Sequence, residues 1–466
     1  MLFSSTIFLF TFLPLTLAGY YLLGKRYRNV FLLVMSLAFY AWGEPRFVLV
    51  MIASIALNYI FALVIDKKRG IAKPVLIFAV AANVGLLYVY KYLGFTSRVL
   101  AIFGITFTDP GFILPIGISF FSFQAMSYVI DVYRKPGSAQ LKPQNVALYI
   151  ALFPQLVAGP IVRYGSIASQ IESRAYSASL FAEGVRRFII GFAKKVILAN
   201  NLSLIADAAF AMPDAQRGAA YAWLGVIAYA LQLLFDFCGY SDMAIGLGKM
   251  FGFEFEENFN YPYMTASVSG FWNRWHISLG LWFRDYIYFP LGGSRVKKPR
   301  LVFNLFVVWF LTGLWHGASF NFIAWGLLYF VFVTFEKLSG IPKNLKSPFS
   351  RVFYRIIALL VIIGGRVLFR AEGGTAALGY SLSMIGLTGN ADNAAILLMT
   401  FRDYWFFIAA AVVCTTPVLK RLGEKLAPRF TVAYPIVRHA AYALVFLWAI
   451  SYIVMGANNP FIYFNF

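Results

Sequence analysis

The chain has 466 residues, 61% of them apolar and 13% charged, with a formal net charge of +21. This composition excludes a soluble multidomain protein and points to a polytopic membrane protein. Lys and Arg gather in short loops between apolar runs, so the charge reads chiefly as the positive-inside topology signal and not as a nucleic-acid surface; the remainder is available to attract an anionic donor.

Apolar runs of roughly 18 or more residues recur along the chain, and in hydrocarbon the backbone must satisfy its own hydrogen bonds, which selects α-helices. The alternating segments of a transmembrane β-barrel are absent. Only Cys238 and Cys414 occur, with no CxxC or metal spacing, and both read as small buried hydrophobes. The first eighteen residues lack the cationic start of a cleavable signal and read as a retained first helix.

In chain order, a span over 5–23 is followed by the basic KRYR at 25–28, which puts the N-terminus on the extracytoplasmic side. Spans over 29–42 and 46–65 are separated by Gly43-Glu44-Pro45 and end at DKKRG; a span at 74–91 then runs outward, and LPIGISFFSFQAMSYVIDVYRK returns inward. Over 146–164, Pro154 and Gly159-Pro160 interrupt helix geometry. That segment reads either as a re-entrant or kinked element lining a pathway, or as a surface loop.

A basic segment containing Arg186, Arg187, Lys194 and Lys195 precedes an apolar run at 219–238. Asp236 and Asp242 then sit in apolar sequence, where carboxylates are costly and usually paired or functional. Gln232 and Asp236 share a helix face unless Gly239 ends the helix, and the expected partner of the carboxylates is an arginine of 271–317. Later spans are expected at 356–370, 403–419 and 438–456, with the C-terminus extracytoplasmic. The expectation is one all-α membrane domain over 1–466, with about 11 transmembrane helices and one or two re-entrant pieces.

The chemistry concentrates between Phe271 and Gly317, which hold two of the three histidines, His276 and His316, with Arg274, Arg284, Asp285 and Arg295. Helical phase over 274–286 would put Trp275, Leu279, Trp282 and Tyr286 on one stripe and Arg274, Ser278 and Asp285 on another face. The basic patch SRVKKPR at 294–300 is expected to be cytoplasmic, and His316 lies sixteen residues beyond Arg300, about 24 Å along a helix. His316 therefore belongs deep in the membrane or towards the outer leaflet, and His276 nearer the cytoplasmic side. A buried neutral histidine suits a general base acting on an acceptor hydroxyl. His439, beside Arg438, reads as interfacial.

RWHISLGLWFRDYIYFPLGGSR, LTGLWHG, LPIGISFFSFQAMSYVIDVYR, FPQLVAGPIVRY and FDFCGYSDMAIGLG, in that combination, resemble the membrane-bound O-acyltransferase family. The likeness is to its bacterial branch of alginate O-acetyltransferases and, more distantly, to the D-alanyl transferase of teichoic acids. It implies helices around a central tunnel, with donor entry from the cytoplasm and an extracytoplasmic exit in a bacterial inner membrane. It also implies a catalytic His316 and a second functional histidine, His276. Arg274, Trp275, Ser278, Arg284, Asp285, Asn304, Trp315, Asp236 and Asp242 are the candidate substrate-binding residues. Two positions depart from the family pattern: Asn273, where a basic residue is common, and Arg366, where an aromatic is expected.

The reaction so implied is transfer of an acyl group, chiefly acetyl, from a cytoplasmic thioester, acetyl-CoA or an acyl carrier, to an extracytoplasmic hydroxyl. The acceptor is a cell-surface polysaccharide or a serine of an esterase-like partner protein. No bound cofactor, metal or nucleic acid is expected. Two alternatives are D-alanyl transfer to teichoic acid and, in another class, a polysaccharide or lipid transporter or flippase built on Asp236, Asp242 and the broken segment.

Overall fold

A computed structural model describes residues 1–107, 109–135, 137–157, 159–388, 393–456 and 459–460. Among these residues every regular element is helical, and the only bridge of β type joins Phe259 to Trp275. Among the described residues eight helices are long and apolar enough to cross a membrane: Val48–Lys67, Arg69–Ile102, Ala178–Ala211, Ala219–Met250, Phe320–Ser339, Pro348–Arg370, Ala394–Cys414 and Ala433–Val454. Phe8–Leu22 and Arg28–Gly43 are shorter apolar helices. The chain forms two compact units; one holds Met1–Phe188 and Tyr240–Glu256, the other Ile189–Gly239 and the described part of Glu257–Ile462.

In the first unit the segment 146–164 is broken where its prolines predict, but it does not lie on the surface. Helix Pro143–Ala151 stops at Leu152, whose ψ of 111° leaves the helical region, and a single turn follows over Phe153–Leu156. Side chains take up the backbone groups so released. Ser36 Oγ accepts the Phe153 N–H at 3.1 Å, and the Tyr149 hydroxyl donates to the Val162 carbonyl at 2.9 Å. Non-helical backbone is tolerable in an apolar setting when protein covers it in this way. Asp242, in the same unit, pairs with Arg187 at 2.7 Å.

In the second unit Asp236 pairs with Lys195 at 2.8 Å, both side chains being buried. The expected arginine partner from 271–317 is therefore replaced, for both carboxylates, by cations of the 186–195 segment. Gly239 does not end its helix, which runs on to Met250. The missing side chain serves a close approach instead: a Cβ there would stand 2.7 Å from the Gly191 carbonyl oxygen. Two span boundaries also move. Pro348, at the first turn, opens a helix that the 356–370 window had started late, and Thr415-Thr416-Pro417 closes the next-to-last candidate span at Cys414.

Helices Lys298–His316 and Phe320–Ser339 form a hairpin closed by Gly317-Ala318-Ser319. Their backbones touch at two glycines. A Cβ on Gly313 would lie 2.5 Å from the Phe322 carbonyl oxygen, and one on Gly326 equally close to that of Trp309. Small residues that let helix backbones meet are a main source of packing energy where lipid removes the hydrophobic drive between helices.

Thermal unfolding of purified protein in detergent tests this contact. Gly313→Ala is expected to cost about 1–3 kcal/mol through overpacking. Gly364→Ala, on a helix where nothing lies within 4 Å of the new Cβ, should be neutral or slightly stabilising. Equal effects of the two substitutions would overturn the account.

Candidate active site

The site is built in the second unit from the hairpin, helix Pro348–Arg370 and the irregular chain from Glu257 to Phe283. Helix Val268–Trp272 is fixed by a buried carboxylate. Glu336 accepts the Val268 and Ser269 N–H groups, each at 2.7 Å, and the Tyr354 hydroxyl at 2.8 Å. An anion at a helix N-terminus meets the positive end of the helix dipole as well as its unpaired donors.

The expected helix over 274–286 begins later. Helical geometry starts at Ile277, and His276 before it is left-handed, with φ 46° and ψ 53°. The displacement has a local cause: residues 258–260 pair with 274–277 as a short ladder. Asn260 N–H donates to the Arg274 carbonyl at 2.9 Å and Ile277 N–H to the Asn258 carbonyl at 3.0 Å. A non-glycine residue held at positive φ is strained, and such strain gathers at functional sites.

Asn258 decides the state of His276. Its Oδ1 accepts the Ser278 N–H at 3.2 Å and the Ser278 hydroxyl at 2.9 Å, and lies 3.2 Å from His276 Nδ1. An atom that receives a backbone N–H is the amide oxygen, so Nδ1 must carry the imidazole proton. Nε2 then presents a lone pair, and among the described residues it has no hydrogen-bond partner. The ring is only 2% exposed and stands edge-on to Phe237, with centroids 4.6 Å apart.

His316 ends the Lys298–His316 helix and is also 2% exposed. Its ring is boxed by Trp315, Trp325 and Phe369, at centroid distances of 4.9, 4.8 and 5.3 Å. Gly317 permits this box: its backbone is extended, and a Cβ would collide with the Phe322 ring at 2.2 Å. Trp315 joins the two histidines, since its ring is also 5.9 Å from that of His276.

The remaining candidates divide. Trp275 and Ser278 are buried beside His276. Asn304 is buried too, and its amide holds the Gly293 carbonyl at 3.1 Å. Arg274 reaches the Asn260 carbonyl at 3.4 Å. Arg284 and Asp285 pair with each other at 2.7 Å in a π-helical turn, the arginine side chain 46% exposed. Asp236 faces Lys195, as above, and Asp242 belongs to the other unit. His439 is exposed, with Nδ1 2.6 Å from the Pro435 carbonyl oxygen. Cys238 is buried and Cys414 partly so, both as free thiols. Sequence reasoning missed Asn258, Glu336, Trp325 and Phe369; the polar pair among them stands in apolar or loop sequence with no motif spacing to mark it. Among the described residues no three His, Cys, Asp or Glu side chains gather as a metal ion would require.

What the arrangement offers is two buried imidazoles on one tryptophan, in a pocket of aromatic rings, one of them with a defined lone pair. That is equipment for moving a proton to and from a neutral nucleophile in a dry site.

A model of the membrane-bound O-acyltransferase family matches residues 134–357. The chain is 38% identical to the probable alginate O-acetylase AlgI of Pseudomonas putida over 100% of both chains. It is 33% identical to the peptidoglycan O-acetyltransferase of Helicobacter pylori, over 84% of this chain and 80% of that one. Similarity to the teichoic acid D-alanyltransferase of Bacillus subtilis is 31% identity over 50% of this chain and 62% of that one.

His276 lies outside the eight candidate spans, and burial pushes its pKa down to about 3. An unfolded histidine titrates near 6.5, so the unfolded chain binds the proton first as pH falls. The contribution of the neutral imidazole to stability is full above about pH 6.5 and drains away between there and about pH 3. Nitrogen NMR of histidine-labelled protein should show a neutral Nδ1–H tautomer at pH 5 that Asn258→Ala disrupts. A protonated ring at pH 5, or an Nε2–H tautomer, would contradict the assignment.

Proposed function

The chain belongs to the membrane-bound O-acyltransferase family, and on that premise we propose that it carries an acetyl group from a cytoplasmic thioester to an extracytoplasmic hydroxyl. It is an O-acyltransferase and a multi-pass membrane protein. The observation that carries the finer reading is the pair of buried histidines on Trp315, in a chain whose full length is similar to a probable alginate O-acetylase.

In this reading His316 is the general base. It takes the proton of the acceptor hydroxyl as the oxygen attacks the thioester carbonyl carbon, then returns it to the departing thiolate. His276, with Nδ1 anchored on Asn258, offers Nε2 to the donor and fixes its approach; Trp275 and Ser278 hold that geometry. Arg274, Arg284 and Asp285 belong to the donor entrance. The thioester supplies the driving force, either as acetyl-CoA or on a carrier, so no bound cofactor is required.

The acceptor is a cell-surface polysaccharide, or a serine of an esterase-like extracytoplasmic partner that completes the modification. The basic loops at 25–28, 294–300 and 337–355 support a reading with the donor side in the cytoplasm and both termini outside, in a bacterial inner membrane. The whole chain serves as one catalytic domain, with a tunnel joining the two faces. Acetyl is preferred to D-alanyl because the acetylase likeness spans the whole chain and the D-alanyltransferase likeness half of it.

His316→Ala, expressed in cells that make the polymer, is expected to abolish ester-linked acetate while membrane abundance on immunoblots is unchanged. Mass analysis of the wild-type product should show acetyl increments. Retained acetylation at equal abundance would remove His316 from the mechanism, and a D-alanyl increment would replace the donor.

A further inference from the structure

We propose that Arg366 is a catalytic residue that receives the negative charge developing on the acyl carbonyl oxygen; the proposal rests on the transfer reading above. Arg366 lies on helix Pro348–Arg370 and is 1% exposed. Its guanidinium carbon stands 4.2 Å from the Trp275 ring centroid and 5.5 Å from that of Phe271. Trp275 immediately precedes His276. Three residues beyond Arg366, on the same helix face, Phe369 packs against His316. The cation is therefore tied to a neighbour of each histidine, to Trp275 by stacking and to Phe369 by helix register.

Its surroundings lack a counter-charge. Among the described residues no carboxylate lies within 4.0 Å of Arg366; the polar groups about it are the hydroxyls of Tyr263, Tyr329 and Tyr229, of which Tyr263 hydrogen-bonds the guanidinium. Nε and Nη2, both buried, have no hydrogen-bond partner among those residues. These two nitrogens form one edge of the guanidinium fork, the edge that grips an anionic oxygen through two N–H groups. A buried cation is normally paired, and arginine cannot escape the cost by losing its proton. Cation–π contact offsets part of that cost without consuming the N–H edge. The group is also fixed: it rides on a helix, and at the preceding Gly365 a Cβ would meet the Tyr329 hydroxyl at 2.4 Å.

A rigid, dry, unpaired donor edge fits a charge that exists only during reaction. The thioester carbonyl is neutral when bound. As the acceptor O–C bond forms and its proton passes to His316, the carbonyl π pair moves onto oxygen, where Nε–H and Nη2–H meet it. When that pair returns, the C–S bond breaks and the thiolate takes the proton from the imidazolium. Arg366 keeps its protons throughout.

The test follows thiol release from acetyl-CoA by the purified full chain in proteoliposomes. Arg366→Gln is expected to lower kcat about 100- to 1,000-fold with KM for acetyl-CoA unchanged and an unaltered thermal transition. Added guanidinium ion should restore part of the kcat of Arg366→Ala, saturably, which a packing role would not allow. If Arg366→Gln fails to fold, Arg366→Lys supplies the test: it keeps the charge but not the fork, and is expected to fold with reduced kcat at constant KM. A kcat within threefold of wild type in a folded variant overturns the proposal. So does a raised KM at constant kcat, which would make Arg366 a binder of ground-state anions on the donor. A wild type that releases no thiol overturns the transfer reading and this inference with it.

Discussion

A polar group at membrane depth has no water to fall back on, and the second unit is organised around meeting that demand internally. Lys195 and Asp236 answer each other across 2.8 Å. Glu336 spends its carboxylate on two backbone N–H groups and a tyrosine hydroxyl. Asn258 gathers His276 and both donors of Ser278 on one oxygen. The last two fix the irregular chain between Glu257 and Phe283 that carries His276. Remove Glu336 and the Val268 and Ser269 N–H groups lose their acceptor; remove the Asn258 amide and His276 Nδ1 and Ser278 lose theirs.

Two of the buried polar groups without a partner lie at this site and carry information. His276 Nε2 and the Nε–Nη2 edge of Arg366 are buried and lack partners among the described residues. One is a lone pair, the other a pair of donors, and both adjoin the same ring, Trp275, by sequence or by stacking. Acyl transfer needs both kinds: an acceptor for hydrogen-bonded approach and a donor for the oxyanion.

The sequence made the architecture legible because hydropathy and basic loops act over long windows that local detail does not disturb. The all-helical class follows from such windows, and the break in 146–164 from the prolines within it. Its limits were of two kinds. Glycine was ambiguous: Gly239 looks like a helix stop in one dimension, but in three it is the point where a helix meets the Gly191 backbone. Pairing across distance was invisible: nothing in the sequence says that Asp236 meets Lys195 and not an arginine of 271–317, or that Asn258 reaches His276. The helix phase over 274–286 failed for the same reason, since a ladder to residues 258–260 outweighed local helical periodicity.

Arg366 joins these arguments. In the sequence it is a departure from an aromatic pattern, and on helix propensity alone it is unremarkable. Only the fold makes it costly, by closing aromatic rings over it and leaving no carboxylate near. Yet the same rings preserve part of what an aromatic residue would have supplied, because a guanidinium stacks on tryptophan much as another ring would. The substitution of type thus keeps the packing while adding a fixed positive edge against Trp275, the residue before His276. A chain that needed only packing at this position would have no reason to bear the desolvation of a permanent charge; one that stabilises an oxyanion does.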